Sequence, residues 1–293
     1  MLAWTSAGAV PRPRTLQLRL HRSYPDRVAA GAPPPSRSLS TDEVAANLRW
    51  FTAPSPRGLP VDALVLAGHG VSARADLPDI VGLARSLGVT RVVVHAGVET
   101  LGAPPAGVDR YVLPVRLGPG GTEPAALLAA FAGARAAGVS VDANVPLEAA
   151  ALSFLPAALT LARAGGAASV TFTYPFPTGS ADAPPAVPDT LAALATALPL
   201  VNGANGDDPL PVAIKGLPAC WLGPYAPLLR KSQNRWYVDA DHQLGAALLF
   251  FPGVVAFAKA DACRFCSRDG ACDGFLPAWS GLPGNPPIRP FEP

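Results

Sequence analysis

The only thiols in this 293-residue chain are four cysteines, all in its last quarter. Cys263, Cys266 and Cys272 form a Cys-x-x-Cys-x5-Cys run, and Cys220 stands alone in Gly216-Leu217-Pro218-Ala219-Cys220-Trp221. A thiolate is a soft anionic donor, and four of them can close a tetrahedral zinc site or hold a [4Fe–4S] cluster. Either way every coordination position is taken by protein. The chemistry expected is therefore electron transfer or structural stapling, not Lewis-acid catalysis on a bound substrate. The plainer alternative makes Cys220 a small buried hydrophobe.

Histidine supplies the second set of candidates. His21, His69 and His95 each fall at the C-terminal end of a segment that reads as a strand, the place where barrel folds gather active-site residues. Three imidazoles on one rim could bind a metal or carry acid–base chemistry, and Asp142, with Asn144, is placed as a further candidate on a later strand. Loop hydrogen bonds are the competing role for each histidine. Gly118-Pro119-Gly120-Gly121-Thr122 lacks the Lys-Ser/Thr ending of a phosphate loop and reads as a turn. Neither a Gly-x-Ser-x-Gly elbow nor a His-Glu-x-x-His helix is present. Lys231, Arg235 and Trp236 read as a solvated face or a docking surface.

The elements that must position these residues follow from periodicity. Residues 1–13 read as a loose arm. Arg14 to Leu20 alternates apolar and polar side chains, the period of a strand. Ser40-Thr41-Asp42-Glu43 has capping-box spacing and opens a helix running to about residue 50. Strands are expected at 63–66, 91–95, 111–115, 139–145 and 169–173, separated by helices that stop at Gly88, Gly138 and near Ala164. Alternation of this kind implies βαβ units and a parallel sheet, with about six units and so fewer than a closed eight-fold barrel. Past Pro184 the pattern loosens to a helix at 189–198, a short strand near 212–214 and the cysteine region. The division expected is an arm (1–13), a partial (β/α)6 barrel (14–200) and a cysteine-rich C-terminal extension (201–293).

Composition narrows the function classes. Hydrophobic residues make up 49% and charged ones 15%, enough to bury a sizeable core. Lys+Arg 23 against Asp+Glu 21, with no basic stripe, speaks against a nucleic-acid partner. The longest apolar run, residues 244–258, is interrupted by Pro252 and Gly253 and is too short to span a bilayer. The first residues lack the basic and apolar regions of a secretory signal, so a cytoplasmic location is expected. In that reducing compartment clustered cysteines serve more often as ligands than as disulfides.

The combination of a partial barrel and a cysteine tail resembles the radical SAM superfamily, in particular members with a C-terminal auxiliary iron–sulfur cluster. Leu66-Ala67-Gly68-His69-Gly70-Val71-Ser72-Ala73-Arg74-Ala75-Asp76-Leu77-Pro78 is similar to the family's L-[ST]-G-G-E-P-T-L-R-P-D-L-P stretch, and His95-Ala96-Gly97 stands where Thr-Asn-Gly is common. In the tail, Cys272-Asp273-Gly274-Phe275, Trp279, Gly284 and Pro290 fit the auxiliary-cluster pattern. The resemblance implies a [4Fe–4S] ligand set of Cys220, Cys263, Cys266 and Cys272, with zinc as the alternative occupant. It also assigns Gly68, His69 and Gly70 to the segment that binds S-adenosylmethionine in the family.

Two departures set this chain apart from that pattern. The loop from His21 to Val28 contains no cysteine where the family carries Cys-x3-Cys-x-x-Cys, and Gly70 occupies the position of the family's acidic residue. Reductive cleavage of S-adenosylmethionine is therefore not expected. The reading is a pseudoenzyme that retains its C-terminal centre and is partnered by an intact radical SAM enzyme or a precursor peptide. Rival readings are a repurposed barrel enzyme using His21, His69 and His95, and a zinc-stapled binding protein.

Overall fold

The computed structural model describes residues 2–5, 8–11, 13–21, 37–54, 60–68, 70–96, 104–175, 184–202, 209–250, 257–280, 282 and 284–291. In chain order the strands are β1 (Leu2–Thr5), β2 (Gly8–Pro11), β3 (Thr15–His21), β4 (Ala63–Gly68), β5 (Arg91–His95), β6 (Arg110–Pro114), β7 (Ser140–Pro146), β8 (Ser169–Thr173), β9 (Val212–Lys215), β10 (Arg235–Val238) and β11 (Leu248–Phe250). The helices are α1 (Thr41–Thr52), α2 (Leu77–Ser86), α3 (Pro124–Ala136), α4 (Leu155–Ala164), α5 (Val187–Ala197), α6 (Ala219–Leu222) and α7 (Pro277–Ser280). The six strands expected from periodicity are thus present as β3 to β8, and a mixed α/β fold with a parallel sheet is established. Within the arm, β1 and β2 pair antiparallel.

The chain divides into two compact units. The first comprises Met1–Leu113, Ala129–Val141 and Gln233–Phe251. Its strands run in the order β11-β10-β3-β4-β5-β6. All neighbours from β10 to β6 are parallel, and only β11 joins antiparallel. The alternation in β3 does what its period requires: Leu16, Leu18 and Leu20 are fully buried while the residues between them are half-exposed. Register puts Leu16 beside Leu64 and Leu18 beside Leu66, and β4 in turn sets Leu64 beside Val92 and Leu66 beside Val94. One continuous apolar row results.

The capping box forms as expected. Ser40 Oγ accepts from Glu43 N at 3.2 Å and Glu43 Oε2 accepts from Ser40 N at 2.9 Å. Val44 and Leu48 turn inward from α1, and Ile80, Val81 and Ala84 from α2. β10 and β11 lie within residues 201–293 of the expected C-terminal extension but belong to this first sheet. Ring packing of Phe51 on Trp236 (5.4 Å between centroids) ties β10 to α1. Buried Asn47 completes the tie. Its Nδ2 donates to Gln243 Oε1 at 3.0 Å and its Oδ1 accepts from Leu244 N at 2.8 Å.

The second unit comprises Pro114–Leu128, Asp142–Ser232 and Pro252–Pro293. Here β7, β8 and β9 are parallel neighbours. Leu159 and Ala162 of α4 and Leu194 of α5 are buried, and Val170, Phe172 and Ile214 form the apolar row of the strands. After β9 the chain turns directly into α6, which carries Cys220.

Asn47→Ala removes the buried amide that accepts from the Leu244 N–H and donates to Gln243. It is expected to lower unfolding free energy by about 3 kcal/mol, against about 1 kcal/mol for the exposed cap substitution Ser40→Ala. Urea denaturation measures both, and equal midpoint shifts for the two variants would contradict the role given to Asn47.

Candidate functional site

All four cysteines of the chain line one pocket in the second unit, together with Lys259 and Asp269. Each is half-buried and unpaired by any disulfide. Three short turns deliver them. Cys220 rides on α6. Cys263 and Cys266 sit on a single 3-10 turn, Asp261–Phe265, closed by Cys266 N donating to Cys263 O at 3.0 Å. Cys272 follows a second 3-10 turn, Asp269–Ala271. The loop bearing the last three cysteines is fastened at its base, where Ala258 and Phe275 exchange both backbone hydrogen bonds (2.8 and 2.9 Å). Gly274 makes that closure possible. Its φ is 105°, and a Cβ there would stand 2.1 Å from Ala258 O.

Backbone dipoles surround the sulfurs. Cys272 Sγ accepts from Gly274 N at 3.3 Å and from Ala219 N at 3.4 Å, and Cys266 Sγ accepts from Arg268 N at 3.4 Å. The Arg289 backbone lies against the Cys220 sulfur and the Ala260 backbone against Cys263. Burial still dominates at two positions, pushing the thiols of Cys220 and Cys263 above their ordinary range, with neighbouring sulfurs adding to the effect. As free groups these two keep their protons at neutral pH. A cation entering the pocket must displace them, so its affinity rises with pH.

The pocket is tight, with about 20 Å³ open to a water-sized sphere. No group of three or more His, Cys, Asp or Glu side chains among the described residues is arranged to hold a metal ion. Thiolate ligation by all four sulfurs therefore requires their side chains to rotate, while the turns and N–H donors are already in place. Directly after Cys272, Asp273 is buried, and its Oδ2 accepts from Ser232 N at 2.8 Å.

The strand-end candidates are in the first unit. His21 closes β3 and is paired in register with Gly68, the last residue of β4. A Cβ at Gly68 (φ 123°) would meet His21 O at 2.8 Å, so only glycine permits this approach. Beyond lies a cavity of about 520 Å³, lined by His21, Ser38, Gly70, Arg74 and Asp76 among others. Arg74 grips Asp76 through two hydrogen bonds (2.8 and 2.6 Å) and reaches Leu39 O with its third nitrogen (2.7 Å). That guanidinium, with Thr41 Oγ1 donating at 2.5 Å, holds the Asp76 carboxyl down at about 2. His95 ends β5, opposite Val112. His69 and the loop after His21, residues 22–36, lie outside the described residues. Asp142 is in the second unit, near the start of β7, where its Oδ1 accepts from Ser169 Oγ at 2.7 Å. Asn144 Oδ1 accepts from Thr173 Oγ1 at 2.5 Å.

One pair escaped the sequence reading. Asp239, buried at the end of β10, accepts at Oδ1 from Asp241 N (3.0 Å), His242 N (2.9 Å) and His242 Nδ1 (2.9 Å). The carboxylate takes the Nδ1 side of the partly exposed ring and leaves Nε2 directed away from it. Asp-x-x-His directly after a strand was the available signal.

The sequence matches no protein-family model and no curated protein. The fold does have counterparts among solved structures. Streptococcus suis SuiB bound to S-adenosylmethionine aligns with a TM-score of 0.61 at 10% identity, over 90% of this chain and 73% of that one. SuiB bound to the precursor peptide SuiA aligns at 0.57 and 10% identity, over 80% of this chain and 59% of that one. SuiB alone gives 0.54 at 10% identity, over 79% and 59%. In the last two comparisons the chain spans less than two thirds of SuiB. At 10% identity the likeness is one of fold, and this chain shares the fold of SuiB.

Asp76 gives the acid side of the stability curve a specific shape. A carboxyl whose folded value is depressed contributes stability above its ordinary value of 3.8, and that contribution is lost as pH falls through about 2. Wild type is expected to lose thermal midpoint over this window, while Asp76→Asn starts lower at neutral pH and loses less. Parallel curves for the two proteins would refute the assignment.

Proposed function

We propose that this chain is a radical-SAM-like accessory protein that holds one [4Fe–4S] centre through Cys220, Cys263, Cys266 and Cys272 and serves a peptide- or small-molecule-modifying pathway. The observation that carries this reading is the convergence on one pocket of every cysteine in the chain, from three separate turns, each sulfur with a backbone group beside it. Such a donor set fits a four-thiolate centre, and hydrogen bonds to the sulfurs are one of the means by which proteins set a cluster's potential. When bound, the centre supplies outer-sphere electron transfer or a rigid staple. The protein's own part is to exclude water with α6 and the two 3-10 turns and to direct the N–H groups of Ala219, Arg268 and Gly274 at sulfur.

An accessory role is favoured over catalysis on S-adenosylmethionine by the sequence after β3 and β4. No cysteine follows His21 through Val28, and Gly70, with φ 65°, stands where the family's acidic side chain would be. A precursor peptide, or an intact radical SAM enzyme acting on one, is the partner this reading assigns, and the SuiB complex with SuiA supports a peptide. Two observations favour second readings. The tightness of the thiol pocket suits a single zinc ion, which needs less side-chain rotation than a cluster. The larger cavity beside His21 suits a small ligand at the strand ends, with His21 on its lining and His69 and His95 as the further candidates for acid–base work.

Anaerobic purification separates these readings. The expected protein is brown, absorbs broadly near ~400 nm and carries about four irons with matching sulfide. Serine at any one of the four cysteine positions is expected to bleach it. Stoichiometric zinc in a colourless protein would replace the cluster reading, and full iron retained after Cys220→Ser would break the ligand set. Incubation with S-adenosylmethionine and dithionite is expected to release no 5′-deoxyadenosine, and its appearance would end the pseudoenzyme reading.

A further inference from the structure

The loop that covers the thiol pocket presents to solvent a side chain that packing alone does not explain. Phe265 lies between two of the cysteines and is 65% exposed, the most exposed large hydrophobic among the described residues. The guanidinium of Arg264 is stacked on it, 4.7 Å from the ring centroid. Around this pair cations predominate, with the exposed Asp261 at the start of the same turn as the opposing charge. Exposed Arg230, Lys231, Arg264, Arg268 and Arg289 all belong to segments at the pocket. Lys231 Nζ is laid across the loop onto Gly270 O at 3.0 Å, and Arg289 stands between the pocket-lining residues Ile288 and Pro290.

Five arginines elsewhere in the chain pair with carboxylates: Arg14 with Asp62, Arg37 with Glu43, Arg74 with Asp76, Arg85 with Asp109 and Arg116 with Glu148. Among the described residues, Arg230, Arg264, Arg268 and Arg289 have no such pair. At the rim Asp269 is paired with Lys259 at 2.6 Å, and among the described residues the exposed cations still outnumber Asp261, so the excess is positive.

We propose that this rim is a docking surface for an acidic segment of a partner polypeptide, anchored by Phe265 and by the guanidinia of Arg264 and Arg268. Arginine and exposed aromatics are the residue types that dominate binding energy at interfaces, and a stacked pair is partly pre-ordered for it. Unpaired cations at a rim attract a partner of opposite sign and fix its orientation. A lone aromatic among few cations is a poor track for a phosphate backbone, which needs a longer basic stripe. Docking here sets the partner against the loop of Cys263 and Cys266. The inference deepens the accessory-protein reading, on which it rests for the existence of a partner, and it holds for either metal.

The test is fluorescence anisotropy of a fluorescein-labelled synthetic peptide rich in Glu and Asp with one aromatic residue, titrated with the full chain, whose iron and zinc are measured in the same sample. Saturable binding that weakens with added NaCl is expected. Arg264→Glu with Arg268→Glu should weaken it by at least about tenfold, and Phe265→Ala by about tenfold at unchanged charge. The control pair Arg49→Glu with Arg135→Glu, exposed on α1 and α3, should stay within about twofold of wild type. Circular dichroism and metal content matching wild type show that the variants are folded. Absence of binding, equal loss in both charge-reversed pairs, or preference for a single-stranded oligonucleotide over the peptide overturns the proposal. A zinc-loaded or colourless protein that binds the peptide rejects the cluster and keeps the docking surface, whereas a brown protein that ignores the peptide does the reverse.

Discussion

Parallel strands cannot be joined by a tight turn, so every strand that extends a parallel sheet must first travel back along the outside. In the first unit that requirement sends the chain from β3 through α1 to β4 and through α2 to β5. All C-terminal strand ends then fall on one edge, which is why His21, Gly68 and His95 share a rim although they are far apart in sequence. The helices that make the return journeys contribute the apolar side chains that cover the leucine and valine row. In the second unit the same constraint brings β9 alongside β8 and releases the chain at Lys215, a few residues before Cys220.

At the thiol pocket two electrostatic effects oppose each other. Removing sulfur from water disfavours the thiolate, and at Cys220 and Cys263 this outweighs the backbone dipoles that favour it. The balance is compatible with the four-thiolate role proposed for the site. Neutral thiols tolerate one another at close quarters in the free protein, and the N–H groups become most effective once the sulfurs carry charge. At the His21 cavity the opposite policy holds: Arg74 and Asp76 satisfy each other, and the guanidinium keeps the Asp76 carboxylate charged at all but strongly acidic pH.

Much of this is legible in the sequence. The alternation in β3, the Ser40–Glu43 capping box and the apolar cores of β4, β5 and β8 are local signals, and the elements formed where those signals put them. β10 was not legible. Arg235-Trp236-Tyr237-Val238 is short and has a single aliphatic residue, and it is a strand because β3 lies beside it and Phe51 packs on Trp236. Asp239–His242 was missed for the same reason, since its place at a strand end depends on that pairing. For the cysteines, spacing gave the three-residue cluster, whereas the arrival of Cys220 from α6 depends on the path of the chain after β9. Asp142 and Asn144 are site candidates by their place on the fifth strand, and their carboxyl and amide oxygens accept hydroxyl hydrogen bonds from β8.

The two hydrogen bonds between Ala258 and Phe275 turn the cysteine segment into a cyclised loop whose ends meet without help from sulfur. Closing a loop costs chain entropy, and in small metal-dependent domains the ion itself must meet that cost. Here it is met by backbone, because Gly274 lets the two ends come together. A cofactor of the kind proposed would thereby associate with this loop independently of the folding of the domain, and could be loaded late, lost and rebuilt on a scaffold that keeps its register throughout.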